Sequence, residues 1–307
     1  MERRTNEIIA ALREAPLRAA SLGVHRSKLR MLAIASASAW FLVGWSAVHA
    51  APQAELWPRW EDHDADSTIR VDHSKLAGFL SEYLVLDHPD GVVRVRYADV
   101  TSADRSTLRE YIALLESTPV SGLNRDEQIA FWTNLYNAVT LELILDHYPV
   151  SSIRDIRISG PLYNRHPWDA HLTAVEGIDL TLNDIEHRIM RPIWQDPRIH
   201  YAVNCASIGC PDLQPEPYTG ENWNDLYDRA ARRYINHPRG VRFSGGRPTL
   251  SSIYEWYVDD FGGSVQGVVE HMLRYAEPEL SRELRAFSDG GYRGRVRYEY
   301  DWKLNEP

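Results

Sequence analysis

The chain has 307 residues, is 44% hydrophobic and 25% charged, and carries a formal net charge of −9. That balance suits one large globular domain and excludes a disordered or collagen-like chain. Two cysteines are too few for a disulfide scaffold or a four-thiolate metal site, and the acidic charge argues against nucleic acid as a partner.

The first fifty residues differ from the rest. Arg26, Lys28 and Arg30 precede the apolar run Met31–Ala47, which ends in Val48-His49-Ala50. Basic, apolar and small-x-small regions in that order describe a secretory signal peptide cut after Ala50, with a retained membrane anchor as the competing reading. Translation from near Val24 or Met31 would give such a leader an ordinary length. Without the leader's seven Lys/Arg and three Asp/Glu the net charge is −13. The expected location is the periplasm or the exterior, with membrane contact only through an uncleaved N-terminal segment.

Residues 51–73 are polar and marked by Trp and Pro, an extended lead-in to a single domain over 74–305. Leu76, Phe79, Leu80 and Tyr83 give helical spacing over 74–86, and residues 92–100 alternate as a strand. A second helix is expected over 103–117. The strongest signal covers 124–147: Asn124 can cap it, Glu127 sits at the capping-box position, and apolar residues cover most of its circumference. It should be a central buried helix. Residues 171–175 and 178–180 could pair around Glu176-Gly177, and Thr181 with Asp184 has capping-box spacing for a helix over 181–190. Residues 199–203 read as a short strand entering Asn204-Cys205-Ala206-Ser207-Ile208-Gly209-Cys210-Pro211. Helices over 221–236, 252–261 and 265–275 and strands at 241–243 and 292–304 complete the chain. The expected class is α+β: one mixed domain with a central buried helix and a small, largely antiparallel sheet.

Cys205 follows a buried segment, where a side chain is both held and reachable. A thiol used as a nucleophile needs a base, usually histidine, and a group to orient it. His187 is the candidate base; His200, on the expected strand, would face away from Cys205. Asn134, Asn137, Asn204 and Ser207 are candidate oxyanion donors or orienting groups. Two other readings stay open: a Cys205–Cys210 disulfide in an oxidising compartment, and two free structural thiols. His166, His171 and His187 lack the i, i+4 spacing of a helical zinc site, so neither metal nor cofactor is expected.

Four stretches together resemble the domain-of-unknown-function family 547. They are Phe131-Trp132-Thr133-Asn134-Leu135-Tyr136-Asn137-Ala138, the helix Leu182–Arg191 with its Ile185-Glu186-His187, the segment His200–Ser207 with Cys210-Pro211, and the ending Tyr300-Asp301-Trp302-Lys303-Leu304-Asn305. The resemblance implies an exported protein, as bacterial members often are. Plant members keep the thiol and imidazole matching Cys205 and His187 but have serine at the place of Cys210, which weighs against an obligatory disulfide. The His-then-Cys order is closer to permuted papain-like enzymes. The leading expectation is a Cys-His hydrolase or acyltransferase acting on an amide, thioester or ester. Its catalytic residues would be Cys205, His187 and Asn137, and Trp132, Asn134, Asn204 and Ser207 would bind a peptide, glycan or small-molecule substrate. The alternative is a non-catalytic cell-envelope binding module stapled by Cys205–Cys210, and a third class is a thiol-redox or metal-binding protein.

Overall fold

The centre of the molecule is the helix its sequence pattern marks most strongly. In the computed structural model, which describes residues 52–159 and 164–307, the chain first forms α1 (Ser74–Tyr83), the short strands β1 (Leu84–Val85) and β2 (Arg94–Val95), α2 (Ser102–Ser117) and α3 (Arg125–His147). The expected leader, residues 1–50, lies outside the described residues. Among these residues no helix is long and apolar enough to cross a membrane.

Asn124 caps α3 by accepting from the Glu127 amide at 2.9 Å. The rest of the expected capping box is put to another use. Glu127 is 1% exposed, and its carboxylate accepts from the amides of Val71 (2.7 Å) and Gly220 (3.2 Å), tying the lead-in and a distant loop to the helix start. A Cβ at Gly220 would meet Glu127 Oε2 at 2.6 Å, so only glycine allows that approach. From Glu127 to Leu141 every residue of α3 is buried. Burying each large apolar side chain contributes about 1.5–3 kcal/mol, so this helix holds much of the core.

Next come the pairs β3 (Ile158–Ser159) with β4 (Asn164–Arg165), and β5 (Thr173–Val175) with β6 (Ile178–Leu180). Glu176 and Gly177, both at positive φ, make the turn of the second pair, as the sequence suggests. Thr181 and Asp184 then form a reciprocal capping box: Asp184 donates its amide to Thr181 Oγ1 at 2.9 Å and accepts from the Thr181 amide at 3.0 Å. The helix it opens departs from the α form. Asp184–Met190 is a seven-residue π-helix that runs directly into α4 (Arg191–Trp194).

Residues 199–202 are helical, not extended. They form the single turn α5 (Ile199–Ala202), begun by Asp196, whose Oδ1 accepts from the Arg198 amide at 2.9 Å. The expected strand is corrected, and with it the strand-face argument for the placing of His200; its ring meets Asp260 and Glu186. The chain continues through α6 (Trp223–Ile235), β7 (Val241–Ser244), β8 (Arg247–Ser251), α7 (Ile253–Trp256), α8 (Val265–Leu273), α9 (Pro278–Asp289) and β9 (Arg297–Glu299). Strands β7, β8 and β9 form a three-stranded sheet, antiparallel across β7–β8 and parallel across β8–β9. The single α+β domain is thus observed, with the sheet content split into small pieces. The core has two clusters. The larger is built around α3; the smaller joins Tyr201, α6, the β7–β8 hairpin, α8 and α9.

Candidate functional site

The loop carrying Cys205 is fixed from three sides. Asn137 on α3 donates to the Ala202 carbonyl at 3.0 Å and accepts from the Asn204 amide at 2.8 Å, so one buried amide grips the backbone just before the thiol. Asn204 joins both ends of the loop, donating to the Pro211 carbonyl at 2.6 Å and accepting from the Ala206 amide at 2.8 Å. The C-terminal segment closes the third side. Ile208 and Gly209 donate to the carbonyls of Lys303 and Asp301, both at 2.8 Å, and Asn305 donates to Ala206 at 3.2 Å. A Cβ at Gly209 would meet the Asp301 amide nitrogen at 2.8 Å, which explains a glycine there.

Ala206, directly after Cys205, sits at φ +56° although it is not glycine and is fully buried. Such a conformation costs on the order of 1 kcal/mol or more and persists only where the surroundings impose it. Here the Asn204 side chain and the Asn305 amide impose it.

Cys205 itself is half-buried and Cys210 buried, and both are free thiols. The disulfide of the alternative reading is therefore corrected: the sulfurs are not bonded, and Cys210 Sγ instead accepts from the Cys205 amide at 2.9 Å. Cys205 Sγ lies 3.2 Å from Ser207 Oγ and 3.1 Å from Tyr300 Oη, while Ser207 and Tyr300 are 3.2 Å from each other. A hydrogen bond from the Cys210 thiol, with others from Ser207 and Tyr300, pulls the Cys205 thiol below its ordinary value against the opposing effect of burial. Burial and the neighbouring Cys205 push Cys210 well up. The two thiols are thus inequivalent: one inclined to ionise, the other held protonated as its donor.

The second part of the site lies on the π-helix. Glu186 and His187 are adjacent on it and both buried. Arg191 Nη1 donates to His187 Nδ1 at 3.0 Å. The neutral ring therefore carries its proton on Nε2 and acts as a donor there. Burial, with Arg191 and His200 nearby, lowers His187 to about 4 despite the Glu186 charge. His200 lies between two carboxylates, with Nε2 2.6 Å from Asp260 Oδ2 and Nδ1 3.4 Å from Glu186 Oε1. Arg191 Nε also donates to Asp260 Oδ2 at 2.6 Å. Burial opposes ionisation of Glu186, but His187, His200 and Arg191 overcome it and hold the carboxyl at about 2. Asp260 is likewise lowered, against burial, by its bonds to His200 and Arg191. The Tyr257 ring stacks on His200 at 4.0 Å between centroids.

The lead-in is pinned across the outside of this π-helix. Glu55 and Trp57 donate to the carbonyls of His187 (3.0 Å) and Arg188 (2.9 Å), and the Pro52 carbonyl accepts from Arg191 at 2.8 Å. Arg188 covers the Trp57 ring at 4.3 Å.

The expected site residues divide accordingly. Cys205, Ser207, Asn204 and Asn137 share one loop and its anchors. His187 belongs to the Glu186–Arg191–His200–Asp260 network, and among the described residues no hydrogen bond joins it to Cys205. Asn134 spends its amide on the backbone of Tyr218, donating at 2.7 Å and accepting at 3.1 Å. Trp132 is 1% exposed and packs edge-on against Trp60 at 5.2 Å, so it is core rather than a binding surface. No group of His, Cys, Asp and Glu among the described residues is placed to hold a metal ion. Tyr300, Arg191 and Asp260 are the residues that sequence reasoning passes over. Tyr300 has a signal, since it opens the last of the four quoted stretches; Asp260, at the end of the expected helix over 252–261, has none.

An α+β domain built round a half-buried thiol loop and a buried imidazole–carboxylate network is the class that fold and site define. Residues 120–235 match the family described as "Protein of unknown function, DUF547", and over that stretch, which includes Asn137, His187 and Cys205, the resemblance is established. No curated protein and no solved structure matches the chain.

Proposed function

We propose that the protein is a thiol-dependent hydrolase or acyltransferase of the cell envelope, with Cys205 as nucleophile and an amide, thioester or ester as substrate. The observation that carries this is the thiol of half-buried Cys205, next to a strained turn and surrounded by three donors that favour its ionised form. The thiolate attacks the carbonyl carbon, forming a C–S bond as the carbonyl electrons move to oxygen. Collapse of that adduct expels the amine, alcohol or thiol, which takes a proton from water. Water, or a second nucleophile, then cleaves the thioester and frees the thiolate. In this scheme Ser207 and Tyr300 tune the sulfur and Asn137 positions its loop. His187, with Nδ1 engaged by Arg191, serves as a neutral donor rather than as the base that removes the thiol proton. Trp302 and Trp256, half-exposed and packed on the Tyr300 ring at 4.6 and 4.9 Å, supply a stacking wall for a flat or sugar-like group beside the sulfur. Export rests on the leader-like composition of residues 26–50.

Incubation of the protein with p-nitrophenyl acetate followed by intact-mass and peptide analysis tests the reading. The expected result is an acetyl adduct on Cys205 that decays with time, is absent in Cys205→Ala and persists in Cys210→Ser. A thiol that takes no acyl group while the fold is intact would overturn it.

A further inference from the structure

The β7–β8–β9 sheet carries an arrangement that the thiol chemistry does not use. Thr249 is registered with Arg242 on one side and with Arg297 on the other, and Ser244 with Arg247. Residues in register share a face, so Arg242, Arg247 and Arg297 lie on the same face of the sheet. Arg295, two residues before β9, lines the same groove as Arg247. Arginines crowded on one sheet face repel one another. A net charge of −9 over the whole chain makes this local excess of arginine unusual.

Available counter-charges are few. Arg242 is bonded to Glu299, and Arg297 lies 3.7 Å from the same carboxylate. Arg247 and Arg295 are exposed and have no acidic partner among the described residues. A groove of about 1060 Å³ is lined by Arg247, Arg295 and Arg297 together with Thr249, Tyr298 and one acidic residue, Glu255. Its rim is shaped by Gly294, whose φ of +118° is open only to glycine.

We propose that this groove binds a phosphorylated polyol, its phosphate held between Arg247 and Arg295 with Arg297 beside them, and its hydroxyls donating to the Glu255 carboxylate. The guanidinium fork matches phosphate oxygens in pairs. A phosphate monoester carries between one and two negative charges near neutral pH, enough to offset two adjacent guanidiniums where one carboxylate would leave a charge uncompensated. The groove volume far exceeds a bare phosphate and leaves space for a sugar- or glycerol-sized remainder. Glu255 would repel a plain anion but accepts from hydroxyls, which is why a polyol is favoured over inorganic phosphate. The same chemistry could be presented by a soluble sugar phosphate or by a phospholipid headgroup. Binding in this groove is independent of any acyl-transfer activity at Cys205.

Calorimetric titration of the full chain with glucose 6-phosphate, inorganic pyrophosphate and glucose tests it, beside co-sedimentation with vesicles of phosphatidylglycerol and phosphatidylcholine in equal parts. Saturable binding of glucose 6-phosphate is expected, weakening as salt rises and falling about tenfold or more in Arg247→Ala/Arg295→Ala. Glucose alone should not bind. Glu255→Gln should weaken glucose 6-phosphate more than pyrophosphate. Vesicle binding that glucose 6-phosphate displaces assigns the headgroup as the source; titration without vesicle binding assigns a soluble phosphate. Arg285→Ala, an exposed arginine on α9 outside the groove, should behave as wild type. No saturable binding of either phosphate, or equal losses in the groove and α9 variants, would overturn the proposal.

Discussion

The chemistry of the site turns on how few atoms surround Cys205 Sγ. Tyr300 Oη at 3.1 Å is one of three donors favouring the thiolate, and a hydrogen bond to a charged acceptor is worth about 1.5–3 kcal/mol. Tyr300→Phe should therefore raise the midpoint of the pH–rate profile for iodoacetamide alkylation of Cys205 by about one pH unit; an unmoved midpoint would show that Tyr300 only packs. Asn137→Ala removes the grip on Ala202 and Asn204 and leaves a buried carbonyl and a buried amide unpaired. A loss of about 2–4 kcal/mol in urea unfolding is expected, with alkylation of Cys205 changed more than that of a denatured control. Individual residues are legible in the sequence to different degrees. Cys205 stands out because a thiol in a loop after an apolar segment is rare. Asn137 is legible as important, being an amide on an apolar helix. Whether it orients an imidazole or holds a backbone depends on the neighbour across the helix interface, which the linear order of residues does not contain.

At the scale of elements, local pattern succeeds where it is long and fails where it is short. Twenty-three residues of helical periodicity define α3, and the Glu176-Gly177 turn defines the β5–β6 hairpin. The four-residue α5 is shorter than any period that could reveal it, and its β-branched and aromatic residues imitate a strand; Asp196-Pro197 before it is the helix-start signal that outweighs them. The β8 strand, too, escapes the periodicity, although Gly245-Gly246, both at positive φ, are the kind of turn that closes a hairpin. The π-helix has no sequence signature, because it is imposed by the elements packed against it. The pairing of the C-terminal segment with the thiol loop makes a firm prediction at this scale. Gly209→Ala forces a methyl group against the Asp301 backbone, and such overpacking should cost about 1–3 kcal/mol, read as a lowered Tm and faster alkylation of Cys205 as the segment pulls away.

For the whole molecule the governing fact is that three imidazoles among the described residues are buried neutral. His73, His187 and His271 are each lowered by burial from 6.5 to about 4. Above pH 6.5 they are neutral in both folded and unfolded chains and contribute no pH dependence. Between pH 6.5 and about 4 the unfolded chain takes up protons that the folded chain refuses, so stability falls as pH falls through that window. Several kcal/mol should be lost in all, since a pKa lowered by one corresponds to about 1.4 kcal/mol per group. Urea midpoints measured across that range check it; a midpoint that stays flat would contradict the burial of these rings. Glu186, held at about 2 against an ordinary 4.5, adds to the loss from the acid end of that window downward, as the unfolded chain takes up a proton the folded one refuses.

The clasp between the lead-in and the π-helix has a mechanical corollary. A π-turn holds one residue more than the α-turn it replaces, and the carbonyls of His187 and Arg188 are kept facing outward by the amides of Glu55 and Trp57. Clipping the chain directly after Trp57 would release them. The helix could then tighten by one residue, and everything after the slip would swing by about 100°, carrying Arg191 off Asp260. The amino-terminal stretch would in that case work as a ratchet pawl, setting which residues of a distant helix face inward. Faster amide exchange over 184–194 in a chain beginning at Pro58, which keeps Trp60 against Trp132, with α3 exchange unchanged, is the expected signature of that slip.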